Sequence, residues 1–452
     1  MTWPRVLGLA LLAGALAGCA REPAKAPADR PDLDTLVLVT LDTFRQDRLG
    51  SNGDPQTRTP NFDRFARRAA CWRNAVTAIP LTTPSHATIL SGLSPRGHGL
   101  IANRMRLDES VITLPMRLRD AGWRTAAVVS ARVVLGPEFG LDRGFDTYDV
   151  IEPATRPASG EGAQTTETAR RVLAEHDGRP TFLWAHFFDA HLPYAPPAPW
   201  DGIYDPGYDG AYREPSLGLQ RELAEGDDVD ARDVAWLAAQ YAGEISFLDR
   251  CFGDLLRDVD LDRAAVLVTA DHGEGLYEHR RYFGHDTLLY DTALRVPFLL
   301  RTPDARGGVR SEDARTLDVA ATLAGVAGLP TGGTEGRDLR RAAPRTGDDT
   351  AFVAETHPAR EKAWPSYALR NRDSKLIWSP RSRTRECYDL VSDPAERHDL
   401  SGEGSDYFRI LGEDLELDLR TRPTGTIRTV DDERGGPDDA TLEQLKALGY
   451  AG

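Results

Sequence analysis

The sequence predicts an α/β sandwich with a mainly parallel central sheet, and three observations carry that reading. Near-continuous apolar runs over 35–42, 181–191 and 264–275 each end in residues of metal-ligand type, as strands covered on both faces of a parallel sheet would. Strand-like runs alternate with helical patterns along most of the chain. From about Phe352 the pattern changes to short strands that read as antiparallel pairs.

At the N-terminus, Arg5, an apolar stretch over 6–15 and Leu16-Ala17-Gly18-Cys19 form a targeting segment too short for a permanent span. Leu-Ala-Gly-Cys resembles a bacterial lipobox, so residues 1–19 are expected to be a lipoprotein signal with Cys19 as the lipid-bearing residue. That places the chain in a bacterial cell envelope, lipid-anchored and facing the periplasm or exterior. Residues 20–34, rich in Pro, Ala and charge, read as a flexible tether. The main α/β domain then spans 35–345 and a smaller C-terminal unit 346–452. Its first strand ends in Asp42, at the carboxyl edge where open α/β sheets place their sites. Thr59 and Pro60 open a helix through about Asn74, 123–130 is a strand, and 234–259 is a long amphipathic helix. Short strands over 366–370, 374–378 and 388–390 follow, and 442–450 reads as a closing helix.

The stretch 80–99 sets one hydroxyl, Thr82, just ahead of an expected helix start. Pro84 suits a first helical position, which would leave the Ser85 and His86 amides free to aim partial positive charge at Thr82. Alone, Thr82 would read as a helix cap. Its company makes it a candidate nucleophile: Asp42, Asp189 with His191, and Asp271 with His272 stand at equivalent strand ends, and His285 follows shortly after. Gly273 and Gly275 permit the turn by which Asp271 and His272 reach one cation.

These residues, together with Ser91-Gly92, His98-Gly99, His191-Leu192-Pro193-Tyr194, the helix segment 241–249, Thr269 to Glu274, Leu294 to Phe298 and Tyr388 to Glu396, give the chain a close resemblance. It resembles the sulfatase branch of the alkaline phosphatase superfamily over nearly the whole mature chain. The resemblance implies an alkaline phosphatase/sulfatase-like sandwich with a small C-terminal antiparallel subdomain, and an ester hydrolase acting on a small anionic substrate. Where sulfatases carry the Cys or Ser matured to formylglycine this chain has Thr82, and His86 stands at their Arg. Threonine cannot give that aldehyde. The segment from Thr82 to Asn103 is similar to nucleotide pyrophosphatases and phosphodiesterases, whose nucleophile is a threonine. That favours phosphate or phosphonate esters, with sulfate esters as the alternative.

The implied site holds one divalent ion on Asp42, Thr82, Asp271 and His272. Mixed carboxylate and imidazole ligands suit zinc or manganese better than calcium. Thr82, His86, His191 and His285 are the expected catalytic side chains. His191 and His285 either bind a second ion with Asp189 or donate to substrate oxygens, and Asn103 resembles an amide that contacts one of those oxygens. His186 reads as a hydrogen-bonded core histidine and His98 as part of a turn; His279 either touches the site or caps its loop. Glu274 is expected to orient His272. Arg45 and Arg48 follow Asp42 and could meet an anionic substrate, and the acidic run 225–230 reads as solvated.

Composition agrees with an ordinary globular enzyme: 452 residues, 40% hydrophobic and 28% charged. A formal net charge of -15 argues against a nucleic-acid polymer as partner and offers no global pull on an anion, so recruitment must be local. After Cys19 only Cys71, Cys251 and Cys387 remain, enough for at most one disulfide within the chain. A catalytically dead binding lipoprotein would be expected to have lost the ligand residues kept here. A phosphoryl-group transferase at the membrane surface would use the same nucleophile and metal, but such relatives usually carry several transmembrane helices, which this sequence does not show.

Overall fold

The computed structural model describes residues 33–421 apart from 153–159, 176, 214–228, 281–282, 305, 345–351 and 358–364. Cys19, most of the tether, most of the acidic run 225–230 and the expected helix over 442–450 lie outside the described residues.

Eight strands form the central sheet. They are β1 (Thr35–Leu41), β2 (Ala70–Val76), β3 (Arg124–Val129), β4 (Thr147–Val150), β5 (Thr181–Phe187) and β6 (Ala264–Ala270), then, beyond the short hairpin β7 (Gly275–Leu276) and β8 (Phe283–Gly284), β9 (Phe298–Arg301) and β10 (Gly308–Arg315). Their order is β10-β2-β9-β6-β1-β5-β3-β4, and β9 alone runs against the rest. The central strands β1, β5 and β6 are buried almost throughout, which is why they read as unbroken apolar runs and not as alternation. The helix Ala231–Leu255 and the helix Glu161–Ala174 pack on one another, and the latter also covers β5 and β3.

One expected helix is shorter than its pattern. It runs only Pro60–Ala66, and the rest of the segment becomes β2. Sheet pairing overrides local propensity there: Ala70 and Cys71 bond to β9, and Trp72 packs edge-on against Phe298, ring centroids 5.4 Å apart.

Near the C-terminus, β11 (Phe352–Thr356), β12 (Ser366–Arg370), β13 (Ser374–Ser379) and β14 (Thr384–Asp389) form an antiparallel meander. The helix Asp406–Thr421, not anticipated from the sequence, lays Leu411 and Leu415 against it. Cys71, Cys251 and Cys387 are all unpaired. No helix among the described residues is long and apolar enough to cross a membrane.

Candidate active site and metal centre

Strand register builds the site. Leu41 on β1 lies opposite Ala270 on β6, so Asp42 and Asp271 emerge side by side and His272 follows. One ligand atom from each of these three fully buried residues lies within 4.8 Å of the other two. The amides of Thr43 and His272 donate to Asp271 Oδ1 at 3.2 and 2.8 Å, which turns Oδ2 toward the cluster. His272 Nδ1 lies 3.0 Å from the Gly273 carbonyl, so the proton sits there and Nε2 keeps its lone pair, 3.3 Å from Asp271 Oδ2. Gly273, not Glu274, therefore fixes the imidazole; Glu274 is buried beside Tyr194.

Burial raises the Asp42 and Asp271 carboxyls well above their usual range, and Asp42 adds to the effect on Asp271. Neither Asp42 oxygen closes a regular hydrogen bond, yet the Thr82 hydroxyl is near enough to lower its pKa. Burial drives His272 well below its ordinary value. Two buried acids facing an imidazole lone pair, with Asp271 Oδ2 and His272 Nε2 otherwise unsatisfied, form a donor set suited to a divalent cation and costly without one. Thr43, next to Asp42, holds a left-handed φ of 52°, a strain of about 1–3 kcal/mol for a residue of its kind. The Tyr241 hydroxyl braces it through the Thr43 carbonyl at 2.7 Å.

The buried helix Thr82–Ser91 begins two residues earlier than expected, with Thr82 first and Pro84 third. The Ser85 N–H is consequently spent on the Leu81 carbonyl at 2.9 Å, and the Thr83 N–H donates to Asn103 Oδ1 at 2.9 Å. That bond fixes the Asn103 amide beside Thr82 and leaves Nδ2 buried without a partner. His86, expected to be catalytic, sits behind Thr82: Nδ1 is 2.8 Å from the Thr82 carbonyl and Nε2 3.1 Å from Thr40 Oγ1. With both nitrogens engaged and burial holding its pKa far down, it is a neutral brace and not a counterpart of the sulfatase arginine.

His191 and His285 do converge. Their Nε2 atoms are 3.3 Å apart, their Nδ1 atoms face the Leu192 and Pro80 carbonyls at 2.6 and 2.8 Å, and the His285 ring stacks on His272 at 4.1 Å. Burial pushes His191 down to about 3 and lowers His285 as well. Asp189 does not join them. Its Oδ1 accepts the Gly162 N–H at 2.8 Å, at the start of the helix Glu161–Ala174, and burial lifts its pKa to about 6.

His186 differs from its reading as a bonded core histidine. Neither ring nitrogen has a hydrogen bond, and Nε2 is 3.4 Å from Asp42 Oδ2. The signal was the register of β1 and β5, Thr40 opposite His186, which no single segment reveals. His98 is structural as expected, bonded to Thr88, and His279 stacks on Tyr290 at 3.7 Å. Arg45 is buried between Asp47 and Glu278, and Arg48 pairs with Asp54, so neither offers a cation to a substrate.

The sulfatase family model matches residues 34–329, well over half of the chain. The chain is 24% identical over 433 residues to the ulvan-active sulfatase of Formosa agariphila, covering 87% of this chain and 82% of that one. It is 23% identical over 379 residues to a multifunctional alkaline phosphatase superfamily protein of Trinickia caryophylli, covering 64% and 72%. In structure it superposes on the phosphonate monoester hydrolase of Agrobacterium radiobacter with a TM-score of 0.70 at 18% identity, covering 86% and 95%, and on a 2-O GAG sulfatase with a TM-score of 0.70 at 21% identity, covering 88% and 96%. Strand-end acids, a buried helix-start hydroxyl and these matches together make the chain a hydrolase of the sulfatase family, within the alkaline phosphatase superfamily.

Proposed function

We propose that the protein cleaves a small anionic ester through a covalent intermediate on Thr82, with phosphate or phosphonate esters preferred over sulfate esters. The observation that carries this reading is the Thr82 hydroxyl, first in its helix and beside Asp42. Asp42, Asp271 and His272, with the Thr82 oxygen, would hold one divalent cation, zinc or manganese in preference to calcium because an imidazole stands among the ligands. Such a cation, when bound, lowers the pKa of the hydroxyl and offsets substrate charge. Thr82 Oγ attacks phosphorus in line, the ester oxygen leaves and takes up a proton, and water then hydrolyses the phosphothreonine to restore the hydroxyl. Asn103 Nδ2 is the donor for a non-bridging oxygen. His191 and His285, kept neutral by burial with their Nδ1 protons on the Leu192 and Pro80 carbonyls, present Nε2 lone pairs that can take a proton from the attacking water. Asp189, His191 and His285 do not cluster closely enough to share an ion among the described residues, which favours a role for the histidine pair toward the substrate over a second ion.

Threonine supports the phosphoryl preference because it cannot become the aldehyde hydrate through which sulfatases expel sulfate. A second reading, a sulfate ester substrate, draws on relatives named ulvan-active sulfatase, Delta 4,5-hexuronate-2-O-sulfatase and choline-sulfatase. Rates of the zinc- and manganese-loaded protein on aryl phosphate monoesters, diesters, phosphonates and sulfates decide between them. Faster cleavage of the phosphorus esters supports the first reading. On location, Cys19 would tether the enzyme by lipid to a bacterial envelope membrane.

A further inference from the structure

Away from the reacting groups, Lys375 is completely buried. Lys375 on β13 places Nζ 2.5 Å from Asp291 Oδ1, 2.6 Å from Glu396 Oε1 and 3.1 Å from the Leu289 carbonyl. Arg370 on β12 grips the same aspartate with two prongs, each 2.8 Å long. Glu396 Oε2 accepts the Asp291 N–H at 2.6 Å. Three charged residues of the C-terminal unit thus meet on one aspartate of the main domain. Burying ions is costly, and an apolar contact would join the two units as firmly, so the cluster calls for a role beyond adhesion.

Asp291 opens the one-turn helix Asp291–Leu294, six residues after His285. The carbonyls of Thr292 and Ala293 accept the N–H groups of Glu274 and Gly273 at 3.0 and 2.8 Å. Contact is so close that a Cβ on Gly273 would lie 2.0 Å from the Thr292 oxygen. Gly273 in turn presents its carbonyl to His272 Nδ1. The segment is tied to the C-terminal unit twice more, by Tyr290 to Glu386 at 2.7 Å and by Thr356 to the Asp286 carbonyl.

We propose that Lys375, Arg370 and Glu396 are positioning residues that act through Asp291 and Gly273 to aim His272 at its cation. This rests on the reading of Asp42, Asp271 and His272 as a cation site. The test is zinc affinity of the full chain, measured by competition with a chromophoric chelator, alongside kcat and KM. Lys375→Met should weaken zinc binding about tenfold and lower kcat with little change in KM, while far-ultraviolet circular dichroism stays that of the wild type. Arg370→Lys, which keeps the charge and loses the fork, should fall between the two. A folded Lys375→Met chain that binds zinc like the wild type overturns the inference and leaves the cation site standing. Should Lys375→Met not fold, hydrogen exchange of the wild type decides, because coupling is reciprocal. Zinc should then slow exchange in β12 and β13 as well as at Gly273, and unchanged exchange in those strands overturns the inference. A wild type that binds neither zinc nor manganese overturns the cation reading and this inference with it.

Discussion

Asp42 and Asp271 stand side by side because Leu41 and Ala270 pair in register on neighbouring parallel strands, and both carboxyls are buried with no charged lysine or arginine between them among the described residues. Burial raises both pKa values well above the usual carboxylate range, a cost that a bound cation would offset.

Asp271→Asn and His272→Ala should each lose bound metal and activity together. Metal content by mass spectrometry, read beside turnover, checks this. Full activity of both variants in metal-free buffer would remove the site.

Asn103→Ala should lower kcat about 10²-fold, the usual cost of one oriented donor to a reacting oxygen. The Thr83 N–H also loses its acceptor, so a small fall in melting temperature should accompany it. Steady-state kinetics showing a rise in KM alone would reassign Asn103 to ground-state binding.

His98 gives a pH prediction free of the metal site. The Leu100 N–H donates to Nδ1 at 3.1 Å and Nε2 faces Thr88 Oγ1 at 3.0 Å, while burial pushes the pKa down to about 3. The unfolded chain takes up a proton near 6.5 that the folded chain refuses. This contribution is therefore complete above about 6.5 and shrinks as pH falls toward about 3. The gap in melting temperature between wild type and His98→Asn should narrow from pH 7.5 to 4.5; a constant gap contradicts the assignment.

Cys19→Ser should release the protein from the membrane fraction and abolish its lipid modification, because one acylated cysteine is the anchor the sequence offers. Fractionation with metabolic labelling by a fatty-acid analogue checks it. Unchanged membrane retention without lipid would mean that another element holds the chain.

Much of this was legible because it is local. Apolar runs ending in Asp42 and in Asp271-His272 announced buried strands whose ends carry clustered acid and imidazole groups, and the meander from Phe352 showed in its short strands. What escaped depends on partners distant in sequence. His86 read as catalytic from its place in the nucleophile segment, but Thr40 and the Thr82 carbonyl occupy both its nitrogens. Asp189 read as one alternative ligand of a second ion with His191 and His285, but among the described residues the three do not cluster closely enough to share an ion. His186 read as core until strand register set it against Asp42, and Asn74 read as helical although sheet pairing made it β2.

Acid-quenched peptide mapping of the zinc-loaded enzyme, taken during turnover of a ³²P-labelled phosphate ester, tests the central claim most directly. Label is expected on the peptide containing Thr82, present in the wild type and absent in a folded but inactive Thr82→Ala chain. Steady turnover by Thr82→Ala, or label carried by another residue, would contradict it.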